Sequence, residues 1–259
     1  MPSDTTGRGL TLRISLIIIF LILLSGCVTE RAFPKPDVKP PEERAQIHAD
    51  LAGNYLQRGQ LDVAIEEVKK SLDLDKNNKS ANYIMALIQI RLKKPEESER
   101  YFKKAIAEPN PLPSAQHDYA NRLCRDEKYK KAEVLYRSLL NNVLYTARAR
   151  LLMNVGACFN KQEKYKEAEN AMRQSLRINP NYPDALLQMA KISYRNGKPL
   201  ETRGWYQRYF QIATRGGPEI LYIAYQTEMT LRDKNAAASY ALKLRSMYPR
   251  SSQAIKLDH

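Results

Sequence analysis

The sequence predicts an all-α protein, a solenoid of six two-helix units. Long stretches rich in Ala, Leu, Lys and Glu, with only ten glycines in 259 residues, favour helices over sheet. From Ala45 onward the chain repeats itself, with four pairs of successive unit starts 34 residues apart and one pair 36 apart. Small residues recur at the same two positions of each unit. Together these observations predict stacked pairs of antiparallel helices.

The predicted units span residues 45–78, 79–112, 113–148, 149–182, 183–216 and 217–250. Position 8 of the units holds Ala52, Ala86, Ala120, Gly156, Ala190 and Ala224. Position 20 holds Ala64, Ser98, Ala132, Ala168, Thr202 and Ala236. A large side chain at either position would separate the two helices of a unit, so we expect close helix contact there.

Bulky residues follow the same period. Position 7 holds Leu51, Met85, Tyr119, Val155, Met189 and Ile223, and position 24 holds Phe102, Tyr136, Met172, Tyr206 and Tyr240. The fourth unit, LLMNVGACFNKQEKYKEAENAMRQSLRINP, with Pro180 at the end of its second helix, resembles a tetratricopeptide repeat. This resemblance implies a right-handed superhelix. In the last unit Pro249 comes one place late, which indicates a one-residue loop insertion, and residues 251–259 form a C-terminal tail.

The N-terminus has the pattern of an export signal. Arg8 and Arg13 precede Ile14 to Leu24, an apolar run that is short for a bilayer span and typical of a signal peptide. The run ends in Leu24-Ser25-Gly26-Cys27, which resembles the lipobox of bacterial lipoproteins. The resemblance implies that residues 1–26 are removed and that Cys27 carries acyl chains. An uncleaved anchor or an ordinary secretory signal is the alternative.

Val28 follows the lipidated cysteine, and by resemblance to the lipoprotein sorting rule this implies the outer membrane of a diderm bacterium, with the body facing the periplasm. Residues 27–44 contain Pro34, Pro36, Pro40 and Pro41. Proline favours extended backbone, so we expect a semi-rigid tether between the lipid and the repeats.

The net charge of +14 is compatible with nucleic acid, an anionic membrane or acidic partner proteins. Export to the periplasm makes cytoplasmic nucleic acid an improbable partner. The histidines His48, His117 and His259 lack a second ligand at metal spacing, and no phosphate loop or dinucleotide fingerprint occurs. We therefore expect a protein without catalytic residues, metal or cofactor.

Cys124 and Cys158 lie 34 residues apart, on the first helices of units three and four. A buried free cysteine behaves as a small hydrophobic residue. A disulfide is also compatible with adjacent helices in an oxidising compartment. The residues alone leave both states open.

The working surface is expected on the first helices, which line the groove of such solenoids. In ANYIMALIQIRL of unit two, nine of the twelve residues are apolar. Either neighbouring units cover this helix, or Leu56, Tyr83, Leu87 and Ile90 form an apolar dock for a partner. The same groove positions of unit three include His117.

The whole arrangement resembles the type IV pilus biogenesis lipoproteins of the PilF/PilW family, which are pilotins with six tetratricopeptide repeats. The resemblance rests on the order of the lipobox, DYANRLCRDEKYKKAE, NVGACF, PDALLQMAKISY and AAASYALKLRSMYPRS. It implies a disulfide between Cys124 and Cys158, because the two cysteines recur in part of that family.

The resemblance also implies a function: to bind the pilus secretin, bring it to the outer membrane and promote its multimerisation, as a monomer anchored through Cys27. Other interpretations are a periplasmic adaptor for barrel assembly or for peptidoglycan hydrolases, and, from a different class, an enzyme or an adhesion factor.

Overall fold

A computed structural model describes residues 39–213 and 215–257. The predicted signal peptide, the lipidation at Cys27 and most of the tether therefore lie outside the described residues, as does His259. From Pro41 onward the described residues form one compact unit. Within it the described residues form α-helices only: α1 Pro41–Gln57, α2 Leu61–Leu74, α3 Lys79–Arg91, α4 Pro95–Ala105, α5 Pro113–Arg125, α6 Tyr129–Asn141, α7 Arg148–Lys161, α8 Tyr165–Ile178, α9 Pro183–Arg195, α10 Pro199–Ile212, α11 Pro218–Thr230, α12 Lys234–Met247 and α13 Ser252–Ile255.

The first twelve helices form six antiparallel pairs, and the stack of pairs is a tetratricopeptide-type solenoid. The odd-numbered helices of these pairs, which we call inner, pack against their own partner and, at most junctions, against the inner helix of the next pair. The even-numbered, outer helices contact the inner helix that follows them in the chain. Each pair thus buries its apolar surface against its neighbours, as a solenoid requires.

The recurring small residues lie where the helices of a pair approach each other. The alanines at position 8 are completely buried, and Gly156 is buried at the same place in α7. In the second unit Ser98 Oγ donates a hydrogen bond to the carbonyl oxygen of Ala86, 3.0 Å away. Ser98 of α4 thus contacts the backbone of α3, so a larger residue at this position would force the two helices apart.

A left-handed residue ends each inner helix. In the turns between the inner and outer helices, the residues with positive φ are Gly59, Lys93, Glu127, Glu163, Gly197 and Arg232. Such a residue reverses the chain between inner and outer helix, a conformation that costs glycine little and other residues more. Successive turn residues lie 34 apart, except for a step of 36 from Glu127 to Glu163 and one of 35 from Gly197 to Arg232.

The sixth unit differs from the predicted register of its second helix. The one-residue insertion precedes Arg232, so the small buried residue of α12 is Ala237 rather than Ala236. The expected tail is also partly helical: α13 places Ala254 against Leu221 and Leu244. This short helix covers the apolar end of the last pair.

The first unit differs from its sequence interpretation at two points. Helix α1 begins at Pro41, so Pro41 to Arg44 belong to the helix and not to the tether. Proline is tolerated there because the first turn needs no backbone N–H. Leu51, expected in the core, is 39% exposed. In the described part of the chain, α1 belongs to the first pair, and no earlier pair packs against its outward face.

Candidate partner-binding face

The apolar dock expected on units one and two is partly a piece of the core. Leu56 is only 4% exposed and packs with Ala52, Ala64, Val68 and Met85. The prediction that Leu56 lines the groove was wrong, because α3 lies across α1 and covers that side chain. Leu56 therefore stabilises the first junction and offers no surface to a partner.

Tyr83, Leu87 and Ile90 lie on one face of α3 and are half-buried. Leu87 packs against the core clusters on both sides of α3. The Tyr83 hydroxyl donates to Asp118 Oδ2 of α5 at 2.5 Å. Burial and this hydrogen bond raise the pKa of Tyr83, so the phenol stays protonated. Neighbouring units thus cover much of the apolar helix and leave part of this face exposed.

His117, expected in the groove, is completely buried. Its Nδ1 lies 2.6 Å from the Tyr145 hydroxyl, and its Nε2 lies 2.9 Å from Nδ2 of Asn154. An amide N–H₂ can only donate, so Nε2 is the unprotonated nitrogen and the ring is neutral. Burial lowers the pKa of His117 to about 4, and the positive charge of Arg150 acts in the same direction.

Tyr145 belongs to the loop 142–147, in the unit that is two residues longer than its neighbours. Its ring is buried against α5, whereas Val143 and Leu144 are 87% and 85% exposed. The insertion thus has a structural use, since it supplies the hydroxyl that satisfies the buried imidazole of His117. Sequence reasoning missed this pairing because the two residues lie on different elements.

Cys124 of α5 and Cys158 of α7 are joined by a disulfide, with their Cα atoms 5.9 Å apart. The bond connects the inner helices of units three and four. Cys158 and Tyr136 line two neighbouring pockets. One, of about 180 Å³, is an apolar cleft between α6 and α7. The other, of about 210 Å³, lies between α5 and α7 and is more polar.

The polar pocket has amide groups on two sides and cations at its end. It is lined by Asn121, Cys124, Arg125, Tyr136, Asn154, Ala157, Cys158 and Lys161. Asn121 Oδ1 accepts a hydrogen bond from the Tyr136 hydroxyl at 2.8 Å. The Asn121 amide nitrogen thus remains a donor, and the Asn154 oxygen remains an acceptor, since its nitrogen is engaged by His117. This pocket can therefore both donate to and accept from one bound group.

Among residues 39–213 and 215–257, no three His, Cys, Asp or Glu side chains lie together as metal ligands would. In the same part of the chain no helix is both long and apolar enough to cross a bilayer.

The chain is similar to a known protein family and to a known pilus protein. A family model described as coatomer epsilon subunit matches residues 42–219. The type IV pilus assembly protein PilF of Pseudomonas aeruginosa is 26% identical over 243 residues, which cover 93% of this chain and 96% of PilF. The match extends over almost the entire length of both proteins.

Solved structures agree on the fold. The structure of Pseudomonas aeruginosa PilF superposes with a TM-score of 0.79 at 24% identity, covering 85% of this chain and 99% of that one. PilW, described as a widely conserved type IV pilus biogenesis factor, gives a TM-score of 0.74 at 20% identity, covering 83% and 98%. The chain therefore belongs to the helical-repeat family that the coatomer epsilon subunit model describes, and it is homologous over nearly its whole length to the type IV pilus assembly protein PilF.

Proposed function

We propose that this chain is an outer-membrane lipoprotein that binds the secretin of a type IV pilus machine and promotes its localisation and multimerisation. The observation that carries this proposal is the match to PilF over 93% of the chain. Solenoids of stacked helix pairs present extended surfaces for binding other molecules. We accordingly propose a non-enzymatic role.

The lipid anchor is the second part of the proposal. Acylation of Cys27 would hold the protein on the membrane, since each buried methylene contributes about 0.8 kcal/mol and several chains act together. Replacing Cys27 by Ser should leave the solenoid folded and release it from the outer membrane. Fractionation of cells followed by immunoblotting measures this. A variant that stays with the outer membrane contradicts anchoring through Cys27.

The partner surface is the half-buried face of α3 that is formed by Tyr83, Leu87 and Ile90. Leu56 does not belong to this surface, because it lies in the core. Changing Leu87 and Ile90 together to Asp should abolish secretin binding, because two charges would be desolvated at the contact. A matched control changes Val134 and Leu242, which are 67% and 70% exposed on outer helices, to Asp.

Binding to purified secretin is measured by co-sedimentation, and the helical signal and thermal melting of both variants are followed by circular dichroism. Because Leu87 also contacts the core, a second variant, Leu87→Gln alone, tests the face with less disturbance. Secretin binding that survives in a folded double variant would place the contact elsewhere.

Deletion of the gene separates this proposal from the alternative, an adaptor for barrel assembly or for peptidoglycan hydrolases. Loss of secretin multimers while porins assemble normally supports the pilotin. A general defect of barrel assembly supports the adaptor.

A further inference from the structure

The two edges of the solenoid differ in charge. In units two to five the segments that end the inner helix and lead to the outer helix are 91–94, 125–128, 161–164 and 195–198. These sixteen residues contain nine basic and three acidic side chains. The four loops that lead into units two to five, 75–78, 106–112, 142–147 and 179–182, contain one basic and two acidic side chains. Positive charge is therefore concentrated on the first edge, which we call the basic edge.

One exposed cation ends the inner helix of each of these units: Arg91, Arg125, Lys161 and Arg195. Arg195 donates to Asn160 Oδ1 at 2.9 Å and lies over the Tyr165 ring at 4.6 Å. In the part of the chain that the structure describes, the side-chain nitrogens of the other three make no ion pair within 4 Å of a carboxylate. A cation at a helix C-terminus complements the helix dipole, which explains one charge per unit.

The dipole does not explain the lysines that follow. Lys94, Lys128, Lys164 and Lys198 are the N-cap residues of the outer helices, and none makes a side-chain capping bond. A positive charge at a helix N-terminus is unfavourable, and Ser, Thr, Asp or Asn is preferred there. Three of them have a glutamate within 4 Å, which offsets part of this cost. These four lysines add to the positive charge of the basic edge.

The polar pocket of about 210 Å³ lies on this edge, since Arg125 and Lys161 line it. It presents the amide donor of Asn121 and the amide acceptor of Asn154. An extended peptide backbone carries one acceptor and one donor per residue, so the pocket is complementary to it. A lipid phosphate accepts hydrogen bonds but donates none, so it would leave the amide oxygen of Asn154 without a partner.

We propose that the basic edge binds an extended segment of a partner protein that carries an acidic residue at every third position. Packed helices lie about 8–10 Å apart, and a chain in the extended polyproline II conformation rises about 3.1 Å per residue with three residues per turn, so that every third side chain lies on the same face. Three residues of the partner thus correspond to one unit of the solenoid. The acidic side chains meet Arg91, Arg125, Lys161 and Arg195 in turn, and the backbone enters the pocket between the middle two. This inference does not depend on the apolar face of α3 or on the identity of the secretin.

The test uses the full chain in phosphatidylcholine nanodiscs and a fluorescent peptide of four Asp-Ser-Ser triplets. Fluorescence anisotropy is recorded at low ionic strength, where charges about 10 Å apart still interact. A peptide of the same composition with its four aspartates adjacent has the same net charge and the wrong spacing. We expect the triplet peptide to bind at least tenfold more tightly than the peptide with adjacent aspartates.

The variant Arg125→Ala with Lys161→Ala should weaken triplet binding at least tenfold. The control, Lys76→Ala with Arg177→Ala, removes the same charge from exposed sites away from the basic edge and should change binding less than twofold. Three results overturn the proposal: equal binding of both peptides, equal loss in both variants, or no binding. Binding to phosphatidylglycerol vesicles that Arg125→Ala with Lys161→Ala abolishes, without peptide binding, would assign the edge to a membrane instead.

Discussion

His117 shows how a single buried residue couples the solenoid to pH. The ring is neutral, with Nδ1 facing Tyr145 and Nε2 facing Asn154. The groups that face it include Arg150, whose positive charge lowers the pKa of His117, and Asp118, whose negative charge raises it. Burial dominates and lowers that pKa to about 4.

The sign of the resulting pH dependence follows from linkage. An unfolded histidine has a pKa near 6.5, so between about pH 6.5 and pH 4 the unfolded chain binds more protons than the folded one. The free energy of unfolding is therefore unaffected above about pH 6.5 and falls as the pH drops towards 4.

We expect this residue to cost on the order of 1 kcal/mol per pH unit in that interval. Urea unfolding at several pH values, compared with His117→Gln, measures the contribution. The variant should show a shallower pH dependence between pH 4.5 and pH 6.5, whereas parallel curves would contradict a buried neutral histidine. The acidic limit of pH 4.5 avoids Glu99, whose pKa its hydrogen bonds to Lys103 and Lys128 lower to about 2.

At the scale of the helix pair, the close contact of α7 and α8 depends on Gly156. A Cβ atom at this position would lie 3.0 Å from the carbonyl oxygen of Ala168 and 2.9 Å from Cε of Met172. The five other units have alanine at this position, so the helices α7 and α8 pack more closely than the helices of the other pairs. Gly204 of α10 offers a matched comparison, since nothing lies within 4 Å of its added Cβ.

We predict opposite effects at the two glycines. Gly156→Val should destabilise the protein by about 2–3 kcal/mol through overpacking. Gly204→Ala should stabilise it by about 0.5–1 kcal/mol, because alanine is the better helix former. Chemical denaturation followed by circular dichroism measures both. Equal effects of the two substitutions would mean that helix propensity, and not the contact with α8, determines stability at Gly156.

At the scale of the whole molecule, the disulfide links two adjacent units covalently, whereas the other junctions depend on non-covalent packing alone. It closes a loop of 34 residues between α5 and α7. In the chain-entropy account, a loop of this size contributes about 3–4 kcal/mol. Since a solenoid adds the stabilities of its units and junctions, the bond stabilises the middle of the stack.

Replacing both Cys124 and Cys158 by Ser should lower the free energy of unfolding by about that amount. The midpoint of guanidinium unfolding, with and without reductant, measures the effect. Reductant should lower the midpoint of the wild type and leave that of the double variant unchanged. A wild-type midpoint insensitive to reductant under conditions that release both thiols would contradict this role.

The sequence by itself determined the fold class, because a period of about 34 residues with small residues at fixed places allows helix pairs to stack in one way. It also indicated the half-buried face of α3 and the pair of cysteines. Each of these follows from patterns within one helix or between equivalent positions of adjacent units.

Only the tertiary structure decided where individual side chains face. Leu56 and His117 are buried because α3 covers α1 and the inserted loop brings Tyr145 to α5. Leu51 is exposed because, among the described helices, α1 is the first of the stack and no earlier pair covers it. The separation of charge between the two edges is likewise a property of the fold, because the stacking of antiparallel pairs brings the turns within the units to one side. A repeat pattern specifies how one unit packs on the next, whereas insertions, chain ends and long side chains that reach across units depend on the assembled fold.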